Sequence, residues 1–99
     1  MRVDDTYQRS PDIISRRIRG EAVLVPIRQR VGALDAIFAL NDTASAVWAG
    51  LDGQKTLRQV LAQVTAEFEV DEAEASRDLL EVIAAMAAVG AVTQVEAHD

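Results

Sequence analysis

The side chains that could perform acid–base or nucleophilic chemistry are few, and none stands in a pattern typical of an active site. The single histidine, His98, lies in a polar stretch at residues 96–99, whereas a general base needs a fixed and partly desolvated position. None of the four serines has a base at a spacing that would activate it. The chain contains no cysteine, which excludes thiolate nucleophiles. We therefore expect no catalytic residue, and the sequence predicts a protein that is not an enzyme.

Five carboxylates are concentrated in one short segment, which raises the question of a metal site. They are Glu67, Glu69, Asp71, Glu72 and Glu74. The alternating ligands and the central glycine of an EF-hand calcium loop are absent, and acidic residues at a helix start interact favourably with the helix dipole. No glycine-rich phosphate-binding loop is present either. We expect no metal and no cofactor.

The charge of the chain is unevenly distributed. Residues 1–40 hold seven Arg against five acidic residues, a net charge of +2, whereas residues 41–99 hold three basic and eleven acidic residues, a net charge of −8. An acidic half disfavours nucleic acid, because phosphate contacts supply most of the non-specific affinity. The apolar run at residues 82–92 is shorter than the roughly 20 residues of a membrane span, and the lack of cysteine fits a reducing cytoplasm. We expect a cytoplasmic protein with no nucleic-acid or membrane partner.

The first part of the chain has the pattern of strands. Residues 1–11 are polar and are expected to form a flexible N-terminal arm. Strands are predicted at residues 13–18, 22–27 and 36–40, with a tight turn at Arg19 and Gly20 and a loop over residues 28–35. Pro26 cannot donate to a strand ladder, so we expect it at a strand end or a bulge.

The second part of the chain has the pattern of helices. Asn41 or Asp42, then Thr56, then Asp71 are the expected N-caps, and the third helix is predicted over residues 72–89, ending at Gly90. A short extended piece follows at residues 91–95, and residues 96–99 form a polar tail. A run of strands followed by a run of helices predicts an α+β fold, a three-stranded antiparallel sheet followed by three helices.

Two of these elements favour binding. The third strand, residues 36–40, is apolar and is expected at a sheet edge, where an extended peptide can add as a further strand. The third helix is apolar over roughly half its circumference, more than the stripe of about 100° that a core needs. The alternatives are that the strand belongs to the core and that the helix is alanine-rich because alanine favours helices.

The second half of the chain, with the strand GEAVLVPI before it, resembles the PqqD-like family. The matching elements, in order, are Leu40-Asn41, Thr43-Ala44, Val47-Trp48, Leu51-Asp52-Gly53, Thr56, Phe68, Asp78-Leu79 and Gly90. The resemblance spans about residues 10–95. It implies a single winged-helix-like domain over residues 12–95 that acts as a precursor-peptide recognition element.

Such a domain binds the leader of a ribosomally made precursor peptide and presents it to a modifying enzyme, such as a radical SAM protein. The resemblance implies that the leader lies as an added strand between the third strand and the third helix. The candidate peptide-binding residues are Ala36, Ile37, Phe38, Ala39, Leu40, Arg77, Asp78, Leu80, Glu81, Ala84 and Ala85.

Several alternatives stay open at this point. The chain could be an adaptor or subunit of an enzyme, a winged-helix DNA-binding protein, or a homodimer joined at the strand edge. Asp78 could accept backbone hydrogen bonds, pair with an Arg of the first strands, or contact the leader. The basic residues of the first strand could be a solvated face or could meet an acidic leader or enzyme.

Overall fold

The chain forms three helices and six strands within the residues that the structure, a computed structural model, describes: 1–27 and 38–95. In order they are β1 (Thr6–Arg9), β2 (Ile13–Ile18), β3 (Glu21–Pro26), β4 (Phe38–Leu40), α1 (Asp42–Gly50), β5 (Asp52–Thr56), α2 (Leu57–Phe68), α3 (Glu72–Ala88) and β6 (Val92–Val95). The strands pair antiparallel. The predicted α+β class is confirmed.

The predicted three-stranded sheet is present, with the order β2-β3-β4. Arg19 and Gly20 connect β2 to β3 with φ values of 54° and 84°, which is the geometry of a two-residue type I′ turn. Glycine suits the second of these positions because positive φ costs it nothing. Pro26 is the last residue of β3, where its missing N–H is tolerated.

A second sheet, with the order β5-β1-β6, was not predicted. The expectation of a flexible arm over residues 1–11 is wrong, because β1 lies inside that range and is the middle strand of this sheet. Tyr7 is only 7% exposed and belongs to the hydrophobic core. The strand cannot be recognised from its sequence, because the residues around Tyr7 are polar. It is stabilised by backbone pairing with both of its neighbours, β5 and β6.

The helix N-termini follow the expected chemistry. Asn41, not Asp42, caps α1, and its side-chain oxygen accepts a hydrogen bond of 2.8 Å from the Ala44 amide. Thr56 and Gln59 form a reciprocal capping box at α2. Asp71 caps α3 through the Ala73 amide. Each cap satisfies amide groups that have no partner inside the helix.

The hydrophobic core lies between the sheets and the three helices. Leu24 and Leu40 of the first sheet contribute to it, together with Trp48, which is 6% exposed, and Ile83 of α3. Trp48 is therefore a core residue. This packing fixes α1 and α3 relative to the end of β4.

Candidate functional site

The free edge of β4 is the first component of the site. In the part of the chain that the structure describes, β4 pairs with β3 and with no other strand. Within these residues, β4 therefore has the edge position that was predicted for it. An unpaired edge exposes a row of backbone donors and acceptors that a further strand can use.

The register of the sheet determines which backbone groups face that edge. A two-residue hairpin makes its flanking pair, Ile18 and Glu21, a hydrogen-bonded pair, and hydrogen-bonded pairs then alternate along the ladder. Val23 therefore directs its N–H and C=O toward β2. Its partner in β4 is Ala39, which lies in a non-hydrogen-bonded pair, so the Ala39 N–H and C=O point outward at the free edge.

A cleft opens next to the end of β4, between the start of α1 and the first three turns of α3. Its volume is about 410 Å³. The lining residues are Asn41, Thr43, Val70, Asp71, Glu74, Ala75, Asp78, Leu79 and Val82. We call this the β4–α3 cleft. Because Asn41 directly follows β4 and caps α1, the same residue ends the strand edge and forms one wall of the cleft.

The cleft combines apolar and acidic surface. Val70 is 42% exposed there, and Leu79 and Val82 add further apolar side chains. Glu74 and Asp78 are exposed carboxylates on the same stretch of helix. The cleft can therefore bury an apolar group and accept hydrogen bonds from a cation.

The comparisons with known proteins identify the family. The family described as coenzyme PQQ synthesis protein D (PqqD) matches residues 21–92 of the chain. The chain belongs to the PqqD family. The match begins with β3 and ends at the first residue of β6, so β4, α1 and α3, which enclose the cleft, lie within it.

A solved structure has the same fold as this PqqD-family chain. It is described as TbiB1 in complex with the TbiA(beta) leader peptide. The two chains are 24% identical with a TM-score of 0.65, and the similarity covers 93% of this chain and 99% of the other. A search of curated proteins finds no match.

The six residues of α3 expected at the site are distributed around the helix. Asp78 lines the cleft. At about 100° per residue, Ala85 and Glu81 fall on the same side of Asp78 as Glu74, whereas Arg77 and Ala84 lie farther around in that direction, and Leu80 points to the side of the helix opposite Asp78. Leu80 is half-buried and packs against the core.

The five strand residues expected at the site are only partly described. Ala39 is exposed and Leu40 is buried at 6% exposure. Phe38 belongs to β4, but its side chain lies outside the described residues, as do Ala36 and Ile37. Ala39 thus contributes backbone groups to the edge, whereas the Leu40 side chain contributes to the core.

Of the residues that line the cleft, sequence reasoning named Asp78 as a site candidate and missed the others, among them Val70, Glu74 and Val82. The wide apolar surface of α3 is mostly core: Val82, Ala87 and Val89 pack against it alongside the buried Leu79. A signal for Glu74 and Val82 was available, since each lies four residues from Asp78, one before it and one after it, but the rotation of α3 was needed to use it.

The described ranges also bear on metals and membranes. Residues 1–27 and 38–95 contain no group of three or more His, Cys, Asp or Glu side chains arranged to hold a metal ion. Among the helices of these ranges, none has the length and apolarity to cross a bilayer.

Proposed function

We propose that this chain is a non-catalytic accessory protein that binds the leader of a ribosomally synthesised precursor peptide and presents it to a modifying enzyme. The leader adds as a strand to the free edge of β4 and lies beside α3 in the β4–α3 cleft. The observation that carries the proposal is the outward-facing backbone of Ala39 next to that open cleft.

The geometry suits recognition by strand addition. Main-chain hydrogen bonds to the edge give affinity for any extended peptide, and pockets for alternate side chains give specificity. Here Ala39 supplies a donor and an acceptor, and Val70, Leu79 and Val82 supply apolar contact for side chains on one face of the peptide. Membership of the PqqD family supports this assignment. So does the similarity to a fold that was solved with a leader peptide.

The modifying enzyme is the second partner in this proposal. A radical SAM protein is the enzyme class that the family resemblance suggests. Presentation requires that the chain contact the enzyme while the leader is bound, and the leader and the enzyme then occupy different surfaces. The adaptor alternative differs from this proposal in having no leader on β4.

The charge of α3 argues against a DNA-binding winged helix. The helix carries four exposed acidic residues and one basic residue, Arg77. The acidic residues are Glu72, Glu74, Asp78 and Glu81. A helix in the major groove lies close to phosphates, which this surface repels.

Titration with a synthetic leader of a precursor encoded beside this gene tests the proposal. In NMR spectra of the labelled protein, we expect micromolar binding with the largest amide shifts at Ala39 and Leu40 and along Asp71–Val82. Binding weaker than millimolar, or shifts confined to β2 and β6, would contradict it. Light scattering of the free protein shows whether it is a monomer or a homodimer. In a homodimer joined at β4, the second copy would occupy the edge that the leader needs, and the leader would have to displace it.

A further inference from the structure

We infer that the β4–α3 cleft selects a cationic leader segment, with Lys or Arg at two alternate positions on the face that meets α3. This inference rests on the proposed function, since it specifies the ligand of the same cleft. It assigns Glu74 and Asp78 as the residues that determine specificity.

The cleft side of α3 is divided into two parallel stripes. The carboxylates of Asp71, Glu74 and Asp78 lie on one side, and the apolar side chains of Ala75, Leu79 and Val82 lie nearer the core. At about 100° per residue the two stripes are adjacent on the helix surface. The apolar stripe forms the floor of the cleft and the carboxylates form its rim.

Two of the rim carboxylates have no partner among the residues that the structure describes. Asp71 accepts a hydrogen bond of 3.0 Å from the Ala73 amide as the N-cap of α3. Glu74 and Asp78 make no hydrogen bond or salt bridge with any described residue. Of the three roles open for Asp78, the structure therefore shows neither backbone bonding nor pairing with an Arg of β2, and ligand contact is the role we assign.

Lysine and arginine match an apolar floor with an acidic rim. Their methylene stems cover apolar surface while the charged head group stays in contact with water or a carboxylate. A stem lying over Val70, Ala75 or Val82 brings its head group to the rim. A purely apolar side chain would use only the floor, and an acidic one would be repelled.

The spacing of the two free carboxylates fits an extended peptide. Glu74 and Asp78 are one turn apart, a rise of about 6 Å along α3. Alternate residues of a strand, which point to the same face, are about 6.6 Å apart. In a leader that runs along α3, two basic residues at positions i and i+2 therefore have the spacing to reach one carboxylate each.

The distribution of basic residues in the chain supports a cationic ligand over an acidic one. Arg16 and Arg17 lie on β2, which is at the opposite side of the sheet from the free edge of β4. The described residues that line the cleft include no Lys or Arg. An acidic leader on β4 would meet carboxylates and no cation among the described residues of the cleft.

Selection from a display library of random peptides of about nine residues, an ordinary strand length, tests the inference. With the wild-type protein, we expect enrichment of Lys or Arg at two positions separated by one residue. Replacing both basic residues of the best peptide by Gln should weaken its Kd about tenfold, as expected for two partly exposed ion pairs.

Charge reversal of the rim provides the decisive variant. The double variant Glu74→Lys with Asp78→Lys should enrich Asp or Glu at the same alternate positions. The matched control is Glu67→Lys with Glu72→Lys, which makes the same change of charge at two exposed carboxylates that do not line the cleft. The control should still enrich basic residues.

NMR mapping of the enriched peptides separates the inference from the proposed function. Peptides that shift Ala39 and Leu40 without any basic preference, or a control that reverses the preference as strongly as the cleft variant, would overturn the inference and leave the proposed function standing. If no enriched peptide shifts β4 or the cleft, both are overturned.

Discussion

Asn41 shows how one residue serves both the fold and the site. Its side-chain oxygen accepts hydrogen bonds from the Ala44 amide at 2.8 Å and from the Thr43 hydroxyl at 3.0 Å. These bonds begin α1 directly after β4, and Asn41 and Thr43 then form one wall of the cleft. A residue recognised from sequence as a helix cap is thus also part of the proposed binding surface.

Asp52 carries a further hydrogen-bonding role away from the cleft. The Gln54 amide donates to its carboxylate at 2.8 Å, the Lys55 amide at 3.2 Å, and the Lys55 ammonium lies 3.7 Å away. The hydrogen bond from Gln54 is the main reason that the pKa of Asp52 lies below its usual value of 3.8, with Lys55 contributing and desolvation opposing. The charged carboxylate thus holds the turn that starts β5.

We predict that Asp52→Asn lowers the free energy of unfolding at neutral pH and that the difference disappears in acid. The folded pKa lies below 3.8, so this stabilisation is present above the unfolded value and is lost as the pH falls through the folded value. Urea unfolding of both proteins, at neutral pH and at several values below 3.8, measures the difference. The control Glu81→Gln removes an exposed charge and should show no such pH dependence. A constant difference at all pH values would contradict the prediction.

At the scale of elements, sequence reasoning predicted what depends on local chemistry. The β2–β3 hairpin follows from its Arg-Gly turn, and the three helices follow from their caps and spacing. It missed β1 and β5, because their sequences, TYQR and DGQKT, are mostly polar. Their pairing joins positions such as Thr6 and Thr56, which are distant in the chain.

The candidate site was predictable only in part, for a related reason. The edge position of β4 followed from strand order, but the rotation of α3 did not. Leu80, Val82 and Ala87 are all apolar enough to face the core, and all three pack against it. Only the packed structure shows that Asp78 lies with Glu74 on the cleft side.

We predict that Ala39→Pro abolishes most leader binding while the protein remains folded. Proline removes the outward N–H and places its ring at the free edge, whereas the bonds from Phe38 and Leu40 to β3 are kept. An edge strand tolerates this change. Calorimetric titration with the leader, together with thermal unfolding, measures both effects.

The control Ala39→Ser keeps the N–H and should bind with the affinity of the parent protein. Unchanged affinity of Ala39→Pro would exclude strand addition at this edge.

At the scale of the whole molecule, the two sheets have different roles. The β2-β3-β4 sheet presents the free edge, whereas the β5-β1-β6 sheet joins the beginning of the chain to the segments on either side of the α2–α3 helix pair. The residues before β1 also cap α2: the carbonyls of Asp5 and Val3 accept hydrogen bonds of 2.8 and 2.7 Å from the Leu57 and Arg58 amides. This second sheet therefore holds the helical half together.

We predict that deletion of residues 1–9 unfolds the domain or lowers its stability by several kcal/mol. The deletion leaves β5 and β6 without their shared partner, exposes the first amides of α2, and removes the buried Tyr7 side chain. Loss of a buried aromatic side chain alone costs about 3–5 kcal/mol, so Tyr7→Ala should destabilise the intact chain by a comparable amount.

Deletion of residues 1–2 keeps Val3, Asp5 and β1 and serves as the control, with little expected change in stability. Circular dichroism with thermal and urea unfolding compares the four proteins. Full stability of the protein that lacks residues 1–9 would show that the segment is dispensable, as a flexible arm would be.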